Sequence, residues 1–279
     1  MYLSHFGLIE FPFGLTPDTS YVVATRAHQE AMNTLLVAIE TGGGFIKITG
    51  EVGSGKSLLC RRFLNMASAK GAATAYVANP HLEPRTLVLA IAEELGLGLA
   101  AHDFQFHLVN RMNAALLEFA ERGQRVIVCI DEAQAIPLET LEYLRLLSNL
   151  ETEKAKLMHV VLFGQPELDT HLAHPSVRQL RQRITFDYRL QGLSRNEVAL
   201  YVAHRLRVAG YRGQSDAFTP TALRRLHKAS SGTPRVLNIL AHKALLAAYG
   251  DGSEQVRGRH VVCAARDSAP MARLVGWWS

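Results

Sequence analysis

The segment from Gly50 to Ser57 has the residue types and spacing of a phosphate-binding loop. Its sequence, GEVGSGKS, fits the pattern G-x-x-x-x-G-K-S/T, whose glycines let backbone N–H groups close around phosphates. Lys56 is predicted to reach the β- and γ-phosphates and Ser57 to ligate Mg²⁺. The pattern therefore predicts binding of ATP and Mg²⁺, with nucleotide contacts from Gly50, Glu51, Val52, Gly53, Ser54, Gly55, Lys56, Ser57 and Leu58.

Two adjacent carboxylates, Asp131 and Glu132, follow the most apolar stretch of the chain. Because the carboxyl ends of parallel strands face the ligand, Asp131 should lie beside the phosphates and share the magnesium ion with Ser57. Glu132 would then polarise the water that attacks the γ-phosphate. Such a pair can also be a simple helix cap, but its position downstream of a phosphate loop favours a catalytic role.

A polar amide follows a second apolar stretch, where Gly164 is succeeded by Gln165. If this stretch is a neighbouring strand, Gln165 should lie near the γ-phosphate and the attacking water. The alternative is that Gln165 only caps the helix that enters at Pro166.

These side chains need a sheet to position them, and the hydrophobic pattern predicts one. Short apolar runs predict strands, and helical periodicity predicts the helices between them. This alternation indicates an α/β fold, a parallel sheet flanked by helices. The strand around Tyr76 is interpreted as inserted between the phosphate-loop strand and the Asp131 strand, which would mark the additional-strand class of P-loop proteins. The predicted strands are 45–49, 74–78, 125–130, 158–163 and 184–190, and the helices are 55–70, 83–95, 106–122, 137–150 and 166–183.

The pattern changes after Leu190, where helical periodicity continues without strands. Ser194 with Glu197, and Thr219 followed by Pro220, have the character of helix N-termini. We therefore predict an α/β nucleotide-binding domain at 1–191 and a smaller all-helical lid domain at 192–279. The predicted lid helices are 194–209, 219–230, 234–249 and 258–267.

Composition excludes several classes of protein. Of the 279 residues 48% are hydrophobic, which argues against disorder, yet no apolar run is long enough to span a membrane. The N-terminal residues lack an export signal, and three cysteines without metal-ligand spacing suit a reducing compartment, so a cytoplasmic location is expected. The Trp277-Trp278 pair could touch a membrane interface peripherally, although docking on the helical domain is the favoured interpretation.

Charge is distributed unevenly along the chain. Residues 178–279 contain 17 Lys and Arg against 6 Asp and Glu, whereas residues 1–177 contain 13 against 19. Residues 178–279 therefore have a net charge of +11, and residues 1–177 have a net charge of −6. This asymmetry favours either an anionic partner or head-to-tail stacking of identical subunits.

Several segments together resemble the general secretion pathway protein A (ExeA) family of bacterial AAA+ ATPases. They include HFGL, FPF, ITGEVGSGKS, IDEAQ, LSNLETEKAKLMHVVLFGQPEL, LRQRITF and GTPR. The resemblance implies an AAA+ P-loop ATPase with a helical lid that serves assembly of a type IV pilus, of the MSHA kind, or of a type II secretion machine. Its implied partners are further copies of itself and inner-membrane pilus or secretion assembly proteins.

The resemblance also implies roles for three arginines. Arg183, with Arg181 as the close alternative, occupies the position of the arginine finger that reaches a neighbouring subunit's γ-phosphate. Arg235, in SGTPR, occupies the position of the sensor 2 arginine that bridges lid and nucleotide. The simpler interpretations are solvated arginines and a helix cap, respectively. Longer members continue into a membrane helix and a peptidoglycan-binding domain, so wall binding is not expected of these residues.

Two rival functions remain open on the sequence. A DNA-binding AAA+ regulator, similar to transposition ATPases, would use the basic segment on the phosphate backbone, and a nucleotide-dependent scaffold would hydrolyse little ATP. The arginines of the predicted lid lack interleaved aromatics of the kind that stack on bases, which makes nucleic acid the less favoured partner.

Overall fold

The computed structural model describes residues 2–15, 21, 23, 25–99, 105–148, 156–213 and 215–268. Their contacts divide the chain into two compact units. One, which we call the α/β unit, comprises His28–Glu51 and Gly55–Leu190. The other, the helical unit, comprises Met1–Ala27, Val52–Ser54 and Gln191–Ser279.

The α/β unit is built on one parallel sheet, which confirms the predicted fold class. Among the described residues its strands lie in the order β2-β3-β4-β1-β5. Strands β1, β3 and β4 are buried along their whole length, because helices cover both faces of a parallel sheet. The strands are β1 (Phe45–Gly50), β2 (Ala73–Val77), β3 (Val126–Ile130), β4 (Met158–Gly164) and β5 (Ile184–Leu190).

The position predicted for the strand around Tyr76 is wrong. Strand β2 lies at the edge of the sheet and pairs only with β3, whereas β4 is the strand inserted between β1 and β3. The physical reason is burial: every residue of β4 is buried, as a central strand requires, while three of the five residues of β2 are only partly buried. The inserted strand is thus the one that ends just before Gln165.

The helices of the α/β unit follow the predicted alternation with three differences. The single helix predicted over 166–183 is interrupted by a 3₁₀ turn at Pro175–Val177, because the residue before a proline is pushed into an extended conformation and His174 has ψ 137°. Helix α2 was not predicted, and α6 ends at Leu147. The helices are α2 (Arg26–Glu40), α3 (Lys56–Ala69), α4 (Pro84–Glu94), α5 (Gln105–Glu121), α6 (Leu138–Leu147), α7 (Glu167–Leu172) and α8 (Arg178–Arg183).

The helical unit consists, in its described part, of the short α1 (Tyr2–His5) and four longer helices. Ser194 and Glu197 form a reciprocal capping box, and Thr219 accepts a hydrogen bond from the Ala222 N–H. Both helix starts therefore follow the capping residues of the sequence. The longer helices are α9 (Arg195–Val208), α10 (Pro220–Ser230), α11 (Pro234–Gly250) and α12 (Gly258–Asp267).

The N-terminal residues pack within the helical unit, although the sequence boundary groups 1–191 together. Tyr2, Phe6 and Phe13 belong to the same apolar core as helices α9 to α12. The buried Arg205 donates to the carbonyl oxygens of Pro12 and Gly14. Phe13, which lies between these two carbonyls in the sequence, is buried in that core.

One further property concerns membranes. No helix in the described ranges is both long and apolar enough to cross a bilayer.

Candidate functional site

The phosphate loop connects β1 to α3, and its backbone requires glycine. Gly53 and Gly55 have φ of +77° and +97°, in the left-handed region that favours glycine. A Cβ on Gly55 would also lie 2.6 Å from Nε2 of His28. In this chain a side chain at position 53 or 55 would therefore strain the loop.

Lys56 begins α3 and is 5% exposed. Its Nζ donates to the carbonyl oxygens of Gly50 at 2.8 Å and of Glu51 at 3.1 Å. Burial lowers the pKa of Lys56, and the negative charges of Glu132 and Asp131 oppose this effect in part. The ammonium group is therefore held against its own loop, ready to exchange carbonyl oxygens for phosphate oxygens.

The loop also contains a polar atom that suits a phosphate ligand. Ser54 is 4% exposed, and its Oγ has no hydrogen-bond partner among the described residues. A buried hydroxyl without a partner is costly, so a ligand oxygen at this place would be favourable. Ser57, the second residue of α3, is exposed and offers a hydroxyl oxygen. This hydroxyl and the Asp131 carboxylate are both hard oxygen donors, the type of ligand that Mg²⁺ prefers.

Asp131 follows β3 directly and is held by two hydrogen bonds. Its Oδ1 accepts from the Glu132 N–H at 3.0 Å, and its Oδ2 accepts from the Tyr76 hydroxyl at 3.2 Å. Burial and the nearby Asp131 charge raise the pKa of Tyr76 to about 12, so the phenol remains a donor. No role for Tyr76 is predicted from the sequence, since only the pairing of Tyr76 with Cys129 brings β2 beside this carboxylate.

Glu132 adopts a conformation that is uncommon for a residue with a side chain. Its φ is +51° and ψ is 39°, and such left-handed residues concentrate at functional sites. Its Oε2 accepts from Nε2 of Gln134 at 2.6 Å and from Nε2 of Gln165 at 2.9 Å. Burial alone would raise the pKa of Glu132, but these hydrogen bonds and the Lys56 charge outweigh burial and lower it.

Gln134 is a second residue without a predicted role, although it is part of the quoted IDEAQ segment. Besides donating to Glu132, it accepts on Oε1 the backbone N–H of Gln165 at 3.0 Å. One amide thus joins the residues that follow β3 and β4. Its signal in the sequence is its position two residues after Glu132, but the contact depends on the adjacency of β3 and β4.

The arginines of α8 differ in exposure. Arg178 and Arg181 are exposed, whereas Arg183, the last residue of the helix, is half-buried. A residue that reaches a neighbouring subunit must be accessible, so Arg181 satisfies this condition better than the favoured Arg183.

Arg235 lies in the first turn of α11 and is exposed. Within the helical unit its backbone N–H donates to the carbonyl oxygen of Gly53 at 3.3 Å. A Cβ on Gly53 would lie 2.2 Å from the Cβ of Arg235, which is a second reason for glycine at this position. The start of α11 therefore contacts Gly53 through a backbone hydrogen bond.

Comparison with known proteins adds independent findings. Residues 39–172 match the family model described as AAA domain. The chain is 42% identical over 256 residues, 92% of its length, to General secretion pathway protein A of Aeromonas hydrophila. It spans about half of that relative, 46% of its length.

Solved structures of similar fold are more distant in sequence. The Aeropyrum pernix ORC2 protein in its ADPNP-ADP complexes superposes with a TM-score of 0.61 at 19% identity, covering 91% of this chain and 71% of the other. Drosophila ORC bound to DNA gives 0.64 at 17% identity, covering 95% and 66%. The Thermotoga maritima RuvB Holliday junction branch migration motor gives 0.55 at 16% identity, covering 92% and 73%. At these identities the likeness shows the fold alone.

Proposed function

We propose that this chain, an AAA-type P-loop ATPase related to General secretion pathway protein A, drives assembly of an envelope-spanning type II secretion machine or MSHA-like type IV pilus. The observation that carries the proposal is the 42% identity to that relative across 92% of this chain. The partners would be inner-membrane assembly proteins, with the ATPase acting from the cytoplasmic side where ATP is available.

The chemistry begins with binding of the triphosphate. Gly53, Gly55 and the Ser54 hydroxyl would surround the phosphates, and Lys56 would neutralise the β- and γ-phosphoryl oxygens. Ser57 and Asp131 would hold Mg²⁺, which when bound neutralises charge on the phosphate oxygens. The hydrogen bond from Tyr76 would keep one Asp131 oxygen in a fixed position while the carboxylate binds Mg²⁺.

Glu132 would act on the attacking water. Both amide donors, from Gln134 and Gln165, reach Oε2, which leaves Oε1 to accept the water proton. The lowered pKa keeps the carboxylate ionised and therefore able to orient the water at neutral pH. Gln165 would hold Glu132 and contact the γ-phosphate, consistent with the role expected for a polar residue after β4.

Completion of the site would require a second copy of the chain. An arginine from α8, Arg181 or Arg183, would reach the γ-phosphate of the neighbour and stabilise the transition state. Arg235 would couple the lid to the nucleotide. The net +11 of residues 178–279 and the net −6 of residues 1–177 support a head-to-tail, salt-sensitive association.

A DNA-binding regulator is not favoured. The two neighbours described above whose names mention DNA or a Holliday junction, Drosophila ORC and RuvB, share 17% and 16% identity with this chain, which supports a common fold only.

The test is complementation of cells that lack this chain. The wild-type protein should restore type II secretion or surface pili, and Lys56→Ala and Glu132→Gln should both fail at equal protein levels. The ATP-trapped Glu132→Gln protein should copurify with inner-membrane assembly proteins more strongly than Lys56→Ala. Normal secretion and piliation in the deletion strain would overturn the assembly role.

A further inference from the structure

Helices α10 and α12 of the helical unit form a shallow groove of about 710 Å³ that no proposed catalytic role uses. A Cβ on Gly258 would lie 3.0 Å from Nη1 of Arg225, so the two helices approach closely at this glycine. The groove is lined by Arg225, Arg259, Val262, Cys263, Arg266 and Asp267.

Helix α12 contributes both charged and apolar side chains to the groove. Arg259, Cys263 and Arg266 are spaced four and three residues apart, which places them on one helix face. Val262 is half-buried, and together with the Cys263 side chain it provides an apolar floor. The arginines therefore border a surface that an apolar side chain can cover.

The positive charge of this groove is only partly neutralised by ion pairs among the described residues. Asp267 pairs with Lys243 at 2.6 Å, and Arg259 pairs with Asp251 at 3.1 Å. In the part of the chain that the structure describes, no carboxylate pairs with Arg225 or Arg266, and both are exposed. Further exposed cations on the same two helices and the preceding turn, Arg224, Lys228 and Arg257, add to the positive potential.

We infer that this groove binds an acidic, amphipathic segment of a partner protein. An apolar residue of the segment would cover Val262 and Cys263, while flanking carboxylates would pair with Arg225 and Arg266. Arginine suits this role because its planar guanidinium matches a carboxylate with two parallel hydrogen bonds. The inference rests on the proposed function, since it names the chemistry of an assembly partner.

The lining favours a polypeptide over a nucleic acid. No aromatic residue is among those that line the groove, and single-stranded nucleic acids are held largely by stacking on aromatic rings. A phosphodiester backbone also gains nothing from the apolar floor. The test nevertheless includes duplex DNA as a competing occupant.

Cys263 provides a reporter inside the groove. It is the exposed cysteine, whereas Cys60 and Cys129 are buried. The full chain is treated with neutral N-ethylmaleimide, alone or with a short helical peptide that has leucine on one face flanked by glutamates. The matched control replaces every glutamate by glutamine. We expect the acidic peptide to slow alkylation of Cys263 several-fold and the control peptide to leave the rate unchanged.

The arginines are tested by affinity for the labelled peptide, because charge changes alter thiol reactivity directly. Arg225→Glu with Arg266→Glu should weaken binding by about 10-fold or more for each lost carboxylate contact. The matched control, Arg207→Glu with Arg212→Glu, makes the same charge change at exposed positions outside the groove and should bind like wild type. Equal thermal unfolding of both double variants checks folding.

Three results would overturn the inference: equal protection by the acidic and glutamine peptides, wild-type affinity in the groove variant, or protection of Cys263 by duplex DNA alone. ATP hydrolysis is measured on the same preparations. Peptide binding without ATPase activity would refute the proposed function but not peptide binding by the groove. ATPase activity without peptide binding would refute only the inference about the groove.

Discussion

The Nε2 of Gln134 donates a hydrogen bond to Oε2 of Glu132 at 2.6 Å. This contact joins the candidate general base to an amide that also binds the backbone of Gln165. The residues that follow β3 and β4 are thus held in one network, and the geometry of Glu132 depends on both amides. Substitution of an amide in this network should therefore change the pKa of Glu132.

Gln134→Ala should raise the pKa of Glu132 toward its ordinary value, because a hydrogen bond that stabilises the carboxylate is lost. Since the carboxylate form is the active base, the acid side of the pH dependence of kcat should move to higher pH. Gln124→Ala, which removes an amide that bonds to Gly71, is the control. An unchanged acid limb in Gln134→Ala would show that Gln134 does not act on Glu132.

Lys56→Ala and Glu132→Gln should separate binding from turnover. Loss of the Lys56 cation should abolish measurable ATP binding in calorimetry. Glu132→Gln should retain binding and lower phosphate release by roughly 10²- to 10⁴-fold, the usual contribution of a general base. Near wild-type hydrolysis by Glu132→Gln would mean that another group activates the water.

Tyr76→Phe should weaken Mg²⁺ binding without unfolding the protein. The change removes the donor to Oδ2 of Asp131, and loss of a group that orients a metal ligand typically costs at least 10-fold in metal affinity. The Mg²⁺ concentration that gives half-maximal ATPase activity should rise accordingly, at unchanged maximal rate. Tyr143→Phe, on α6, is the control, and an identical Mg²⁺ titration would leave Tyr76 with a packing role only.

Lys47→Met should lower the free energy of unfolding by roughly 1–3 kcal/mol. Lys47 is 7% exposed and pairs with Asp169 and with Asp187, whose side chains are about half exposed and thus partly screened by water. Burial opposes the charged form, but both aspartates outweigh it and raise the pKa of Lys47.

A raised pKa means that this stabilisation is present below the ordinary lysine pKa and is lost as pH rises through the folded value. In urea unfolding, the free energy of unfolding of the wild type should therefore fall from neutral to alkaline pH. Lys47→Met should lack this fall. Lys70→Met, at an exposed lysine, is the control. Parallel pH dependences in all three proteins would contradict the assignment.

Mixing experiments should reveal the arginine that acts between subunits. An arginine finger contributes about 10³- to 10⁵-fold in well-studied phosphoryl transfer, so Arg181→Ala or Arg183→Ala should nearly silence turnover at intact ATP affinity. Adding Lys56→Ala protein should then restore part of the activity, because each subunit supplies what the other lacks. Arg178→Ala is the matched exposed control. A mixture that stays inactive, with specific activity independent of concentration, would indicate a site complete within one chain.

Local sequence patterns are sufficient to predict most of the elements and the chemistry carried by contiguous residues. The phosphate loop, the Asp131-Glu132 pair and the strand and helix periods are local patterns, and capping residues such as Ser194 mark where helices begin. The parallel α/β class follows from their alternation, because parallel neighbours require crossover helices.

Contacts between residues that are distant in sequence depend on how the elements pack. The place of β4 between β1 and β3 depends on strand pairing across more than a hundred residues, which no local pattern encodes. The same pairing brings Gln134 to Gln165, and the pairing of β2 with β3 brings Tyr76 to Asp131. Packing of α10 on α12 likewise gathers arginines that are far apart in sequence into one groove. Side-chain contacts are made between elements, so they become visible only once the elements have packed.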